Sequence, residues 1–396
     1  MIQRDSERQQ LIEHTRRSYQ DCYQSLKFPT PDISALAQRR RAEILDRLSA
    51  QSESCCGGTK LFSGTLSAGC TLCTESAWSC LFINGACDAD CFFCPKTKDS
   101  PGPPTADGLV FSDVAEFVAY LRAVGSRGVG ISGGEPLLKL NTTLEFITSI
   151  KREFGDSIHL WLYTNGRRAT EESLNGLRNA GLDEIRFNIA GNRYELDAVR
   201  RATDIFGVVV VEIPTIPEDT ERIKQLLPAL SDLGVRCLNL HQLWCSPHSA
   251  KDLVERGYTF LHGSRVTVLE SELAALEVLE HTTHSGITVP VHYCSATYKQ
   301  RFQTAADLRR DARFVTRGHE DITEAGLIRQ LSLSGSAADL TEQVRRIELA
   351  GGAPSDFRID DAEQRLYFRT WLWNSVDFAK FAPRLQYDIA HRLSVG

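Results

Sequence analysis

From about residue 81 to residue 243, short runs of β-branched and other apolar residues alternate with stretches of helical character. The runs are Leu81 to Asn84, Val129 to Ser132, Leu160 to Tyr163, Glu184 to Ala190, Val208 to Ile213 and Cys237 to Leu243. Helical segments lie between them, such as Asp113 to Val124, Leu144 to Phe154, Glu171 to Ala180 and Thr220 to Leu233. Repeated strand–helix units build a parallel sheet, because each strand needs a crossover to return alongside the last. Six strands of this kind suit an open or partial barrel better than the closed eight-stranded form. Ligands in such folds sit beyond the C-terminal ends of the strands, so the residues following each run are the ones to inspect.

The chain of 396 residues carries twelve cysteines, and eight of them crowd between Cys55 and Cys94. The others are Cys22, Cys237, Cys245 and Cys294. No apolar run reaches the roughly 18 residues of a membrane span, and the first residues lack the apolar stretch of a signal peptide. A cytoplasmic protein is therefore expected. Its thiols are kept reduced, so clustered cysteines there point to metal or redox chemistry rather than disulfides. A net charge of −6 with no long basic block makes the chain a poor nucleic-acid binder.

Four segments follow from this pattern. Residues 1–50 read as a polar helical segment, with helices from Leu11 to Leu26 and from Ser34 to Leu48, the second capped by Asp32 or Ser34. Its Arg39-Arg40-Arg41 run reads as a solvated face. Residues 51–80 are rich in Gly, Ser, Thr and Cys, show no period, and read as a loop ordered by a bound metal. Residues 81–245 form the β/α core. Residues 246–396 form an α+β extension for substrate or partner binding, with a helix from Glu270 to His281, a further strand from Val289 to Tyr293 and a strand-like piece from Leu366 to Trp373.

The strongest chemical signal follows the first strand: Cys87-Asp88-Ala89-Asp90-Cys91-Phe92-Phe93-Cys94, three thiols at C-x3-C-x2-C. Thiolates are soft ligands for iron–sulfur clusters and zinc. A [4Fe–4S] cube held by three cysteines leaves one iron open; one side of a zinc site is the plainer alternative. Gly133-Gly134-Glu135-Pro136 follows the second strand, where glycines let backbone approach a ligand closely. Gly128-Val129-Gly130-Ile131-Ser132-Gly133 matches the dinucleotide fingerprint G-x-G-x-x-G, but its apolar residues belong to a strand rather than to the start of a helix.

Together these motifs resemble the radical S-adenosylmethionine superfamily, over roughly residues 80–245. The resemblance implies a partial (β/α)6 barrel in which Cys87, Cys91 and Cys94 hold a [4Fe–4S] cluster and Phe93 precedes the last ligand. It implies that S-adenosylmethionine chelates the open iron, with Gly133, Gly134, Glu135 and Pro136 at its amino group. Thr164 and Asn165 match the polar turn after strand three, Asn188 a ribose or carboxylate contact, and Ile213 the apolar segment beside adenine; His241 closes strand six. It also implies reductive cleavage to a 5′-deoxyadenosyl radical, fed by flavodoxin or ferredoxin, and hydrogen abstraction from a substrate.

The remaining thiols are more open. Cys70 and Cys73 form a C-x2-C knuckle; with Cys80 and either Cys55 or Cys56 they make a candidate second metal site, for zinc, a single iron or an auxiliary [4Fe–4S] cluster, with Cys56 the residue chosen. Cys294 is a candidate catalytic residue as hydrogen-atom donor, with cluster ligand and buried thiol as alternatives. Lys299, Arg301, Arg309 and Arg310 read as a solvated helix face, with a subsite for an acidic substrate group as the alternative.

Three functions follow: a radical enzyme acting on a small molecule, an amino acid or a peptide; a radical methyltransferase or activating enzyme that modifies a protein side chain; and a non-catalytic zinc-binding interaction protein. No D-x-H-x-x-G cobalamin box is present, which weakens the methylation branch. The Gly-Gly-Glu-Pro turn and the barrel-like alternation oppose the zinc module.

Overall fold

The computed structural model describes residues 2–95, 102–263, 265–378 and 380–390. They divide into two compact units, residues 1–302 and 303–396. The boundary expected near residue 245 thus falls inside the first unit. The reason is a further strand and its preceding helix, which complete the sheet.

Seven parallel strands form that sheet: β1 (Trp78–Phe82), β2 (Gly128–Ser132), β3 (His159–Thr164), β4 (Glu184–Phe187), β5 (Val209–Pro214), β6 (Cys237–His241) and β7 (Val291–Cys294). Each pairs with the next in chain order. The six expected strands are present, and the run near residue 290 adds the seventh. Neither edge of the sheet is bare. The strand Lys60–Phe62 pairs antiparallel with β7 and with Glu53–Cys55, while Thr105–Ala106 and Leu109–Val110 extend the β1 side. Covered edges remove the exposed backbone that would otherwise invite pairing with other chains.

Side chains alternate along each strand. Val129, Ile131, Leu160, Leu162, Ile185, Phe187, Val211 and Leu238 face the helices and join one core with Phe117, Phe146, Ile150, Leu177 and Leu227. Their partners on the other face are polar: Glu184, Arg186, Glu212, Asn239, His241 and His292 are largely buried inside the sheet's curve. A short helix, Asp197–Thr203, follows β4, which ends at Phe187 rather than near residue 190.

The N-terminal segment departs from expectation in its caps. The first helix, Ile2–Tyr19, runs into a 3-10 turn, and the second spans Pro31–Leu48. Thr30, not Asp32 or Ser34, caps the second helix: its hydroxyl accepts from Ile33 N, and Pro31 at the first position needs no donor. The arginine run is not simply solvated. Arg41 Nε donates to Glu272 at 2.7 Å, and Arg40 and Arg47 pair with Glu277 and Glu280, all on the helix Leu269–His284. Residues 51–80, expected as a metal-ordered loop, instead hold the hairpin at the sheet edge and a short helix, Ala68–Thr74.

The second unit has its own core. A five-stranded antiparallel sheet and the helix Ala337–Leu349 bury Leu331, Leu333, Leu340, Ile347, Leu366 and Phe368. The strand-like piece near 366 is a strand only to Phe368, and a 3-10 turn covers Thr370–Ser375.

Candidate active site

A cavity of about 380 Å³ opens beyond the C-terminal ends of β2 to β6. Cys87, Cys91, Cys94 and Phe93 line one side, and Gly133, Gly134, Glu135, Thr164, Asn165, Asn188, Ile213 and His241 line the rest. Motifs separated by more than a hundred residues are therefore brought into one space.

The loops are tied to one another. Gly134 N donates to Asn84 O at 2.7 Å, and Glu135 N to Ala86 O at 2.8 Å, which joins the Gly-Gly-Glu-Pro turn to the residues preceding Cys87. A Cβ on Gly134 would lie 1.9 Å from Ala86 O, so only glycine permits this approach. Gly134→Ala is expected to destabilise the fold by about 1–3 kcal/mol through overpacking, read as a lower urea midpoint. An unchanged midpoint would mean the loops part at no cost.

Glu135 is 1% exposed. Its carboxylate accepts from Asn165 N at 2.8 Å, Thr164 Oγ1 at 2.8 Å and Leu137 N at 3.1 Å. Burial pushes its pKa up against these donors. The carboxylate thus fastens the β3 turn to the β2 turn, and Thr164 is occupied in the same contact. Asn165 Nδ2 donates to Asp88 Oδ1 at 2.8 Å and approaches Cys87 Sγ at 3.9 Å, while Arg168 Nε reaches Asp88 Oδ2 at 2.8 Å. The cysteine loop is in this way anchored by β3. Asn188 caps the 3-10 turn Ile189–Asn192 through Gly191 N. Pro136 is buried behind the turn and does not line the cavity.

Lys299, expected on a solvated face with an acidic-group subsite as the alternative, lines the cavity and touches His241 Nδ1. It opens a π-helical turn, Lys299–Gln303, an irregularity frequent at functional sites. Glu212 also lines the cavity; its Oε1 lies 2.7 Å from His241 Nε2 and its Oε2 accepts from Arg186 Nη1 at 2.8 Å. Burial opposes its charge, yet His241 and Arg186 hold it well below the usual carboxylate range. The signal available in the sequence was a single acid inside an apolar run, Val208 to Ile213.

Beneath the cavity Arg186 is 3% exposed and also donates to Glu184 at 2.7 Å. Burial works against the Glu184 charge too, but Arg186 and His159 bring its pKa down to about 2. The helix Ala68–Thr74 closes this lower layer. Ser67 Oγ and Gly69 N donate to Glu184, and a Cβ on Gly69 would lie 2.3 Å from Arg186 Nη2.

Burial, reinforced by Lys299 for His241 and by Lys60 for His292, pushes both imidazoles below their ordinary value of 6.5. The unfolded chain then binds protons that the folded chain refuses, so stability rises with pH through the window below 6.5. The urea midpoint is expected to stay flat between about pH 7 and 8 and to fall below about pH 6.5, with a shallower fall in His292→Gln. A midpoint that climbs on acidification to pH 5.5 would contradict this.

Cys294 is buried at the end of β7, with its pKa pushed up to about 12 by that burial, and does not line the cavity. The four thiols expected to form a second site stand in different surroundings. Cys70 Sγ accepts from Asn239 Nδ2 at 3.2 Å, Cys73 Sγ lies 3.4 Å from the Tyr298 hydroxyl, Cys80 pairs in register with Gly130, and Cys56 sits in the hairpin turn. Among the described residues no three His, Cys, Asp or Glu side chains converge on a single metal ion.

The family model described as the Radical SAM superfamily matches residues 81–243. A Methanocaldococcus jannaschii protein named as a candidate glycyl-radical enzyme activating enzyme is 30% identical over 296 residues, which is 72% of this chain and 78% of that one. The chain belongs to the radical S-adenosylmethionine superfamily, and so to the iron–sulfur enzymes that use that nucleotide. A GTP 3′,8-cyclase of Nitrobacter hamburgensis is 32% identical over 111 residues, 26% of this chain and 32% of its own. Among solved structures, SuiB of Streptococcus suis bound to S-adenosylmethionine aligns with a TM-score of 0.40 and 11% identity over 62% of this chain and 58% of its own. Among the described residues no helix is long and apolar enough to cross a membrane.

Proposed function

We propose that the enzyme abstracts hydrogen from one residue of a peptide or protein at the cavity above β2 to β6. The observation that carries this is the cavity's size. A volume of about 380 Å³ lies at the small end of the range for drug-sized ligands, so a bound nucleotide leaves room for little more than the reacting part of a substrate. The name of the archaeal relative, an enzyme that acts on a glycyl-radical enzyme, agrees with a substrate offering a single residue. A small carboxylate-bearing molecule is the second reading, favoured by the Lys299 ammonium at the cavity wall.

The donor set fits the cofactors. Three thiols, Cys87, Cys91 and Cys94, line one cavity with the Gly133–Gly134 backbone, and a three-thiolate set leaves room for a ligand on an open iron. When bound, the cluster and S-adenosylmethionine supply a 5′-deoxyadenosyl radical. The chain's own residues do the rest. Asp88, Asn165 and Arg168 hold the cysteine loop, and Glu135 fixes the two turns against it. Ile213 and Phe93 offer apolar walls that exclude water, and Asn188 at the same wall serves as the ribose or carboxylate contact. Lys299 orients an anionic group, with His241 kept neutral and Glu212 ionised behind it. A cytoplasmic reductant of the flavodoxin or ferredoxin type completes the reading.

The test is anaerobic turnover with dithionite and S-adenosylmethionine. Candidate peptides carrying deuterated glycine are expected to raise 5′-deoxyadenosine formation and to pass deuterium into the nucleoside. Stimulation by small carboxylates alone would favour the second reading, and stimulation by neither class would sink the role of Lys299. Lys299→Met is expected to raise the substrate KM by about tenfold or more with a smaller change in kcat, the pattern of lost uniform binding.

A further inference from the structure

Beside the active-site cavity lies a second, smaller one of about 260 Å³. The two share a wall. Gln242, the residue after β6, lines both. Lys299 and Gln300, consecutive in the π-helical turn, line the first and the second respectively. Trp244 lines the first, and Arg265 lines the second, its guanidinium 4.9 Å from the centre of the Trp244 ring. The partition is thus one side chain thick. Gln242 is a fixed post in it: Nε2 donates to Val268 O at 3.2 Å, and Oε1 accepts from Ala296 N at 3.3 Å and from the Tyr293 hydroxyl at 3.4 Å.

The second cavity carries an unmatched charge. Arg41 and Glu272 both line it and cancel, with Arg41 Nε donating to Glu272 Oε1 at 2.7 Å. Arg265 has no such partner: among the described residues no carboxylate forms an ion pair with it. Its backbone is held in place. The strand Trp244–Cys245 pairs antiparallel with Val266–Val268, and Gln300 Nε2 donates to Arg265 O at 3.4 Å. Trp244 backs one face of the guanidinium, which leaves the edge donors for a ligand. A carboxylate matches that edge, because it accepts two parallel hydrogen bonds from the planar fork.

We propose that this second cavity receives an acidic side chain of the substrate, Asp or Glu, two residues from the one that reacts, with Arg265 as the residue that selects it. The inference rests on the reading of the substrate as a peptide or protein. The first cavity has room for little more than the reacting residue, so the flanking residues have to leave it. The thin wall at Gln242 puts the second cavity within their reach. An extended chain advances about 3.5 Å per residue and its side chains alternate in direction. The residue two along therefore points the same way as the reacting one, about 7 Å further on, which is enough to straddle one intervening side chain.

The experiment uses acetylated, amidated peptides with a central deuterated glycine and Glu, Gln or Lys at the second residue to either side. Their binding to the anaerobically reconstituted full chain is measured with S-adenosylmethionine present, and deuterium transfer to the nucleoside is measured separately. Glu peptides are expected to bind about fivefold or more tightly than Gln peptides, the worth of a charge-assisted pair partly open to water. Arg265→Gln is expected to erase that preference and Arg265→Glu to turn it toward Lys. Arg265 is exposed, so both variants are expected to fold. Arg40→Ala, which removes a surface cation elsewhere, is expected to keep the preference. A preference that survives Arg265→Gln, or one lost equally in Arg40→Ala, would overturn the proposal. A Gln peptide with a free C-terminal carboxylate that binds as tightly as the Glu peptide would also overturn it, by assigning the cavity to a chain end. Deuterium transfer from peptides that show no Glu preference would sink this proposal and leave the peptide reading standing. A Glu preference removed by Arg265→Gln, with no deuterium transfer, would count against glycine as the reacting residue and leave this site in place.

Discussion

Cys91→Ser is expected to remove the cavity cluster and with it all cleavage of S-adenosylmethionine, leaving 5′-deoxyadenosine at background and iron lower by about four per chain. The reason is the ligand count. Three thiols line the cavity beside Gly133 and Gly134, and a three-thiolate set leaves one iron of a cube open. Cys91 also sits where substitution is tightly read: a Cβ on Gly191 would lie 3.3 Å from its sulfur, so the thiol is packed against the β4 turn. The fold is expected to survive, because Glu135, Asn84 and Asp88 hold the loop through contacts that do not involve this sulfur. Retained cleavage in Cys91→Ser would mean that the cavity thiols are not the cluster ligands.

Arg186→Met is expected to cost about 3–5 kcal/mol of folding stability, the usual penalty for leaving buried charge unpaired. Arg186 is held by Glu184 at 2.7 Å and Glu212 at 2.8 Å, and its guanidinium lies 5.1 Å from the centre of the Trp161 ring. Removing the cation leaves two carboxylates inside the sheet without its positive charge, held by neutral donors and by His159 at Glu184 and His241 at Glu212. Arg40→Ala is the control. Its pair with Glu277 joins one half-exposed side chain to a partly covered one, so a change of about 1 kcal/mol or less is expected. Equal losses in the two variants, measured by urea unfolding, would show that burial does not set the value of these pairs.

Much of the site was legible because its parts are short and local. Cys87 to Cys94 and Gly133 to Pro136 carry their chemistry in spacing, and each follows a strand whose apolar run announces it. The strands themselves were readable as runs buried on the helix-facing side. What was not legible depends on the inner face. Arg186, Glu212 and Asn239 look like interruptions in apolar runs, and only the curved sheet reveals that they point at one another. Lys299 was only partly legible, for another reason. Its neighbours Arg301, Arg309 and Arg310 give it the look of a solvated stretch, while the π-helical turn redirects it toward His241. Residues 51–80 show no period because their order comes from distant partners: Lys60–Phe62 needs β7, and Ser67 needs Glu184.

That last dependence bears on how the chain can be divided. The stretch resembling the superfamily begins near β1, yet the lumen behind it is plugged from upstream by the helix Ala68–Thr74 and walled by a hairpin laid on β7. A fragment trimmed to residues 81–243 would open a channel of ionised side chains to solvent and lose its last parallel strand. The catalytic module is thus not severable at its recognisable borders. Evolutionary exchange or laboratory grafting of this barrel has to carry the preceding leader and the seventh strand as one piece.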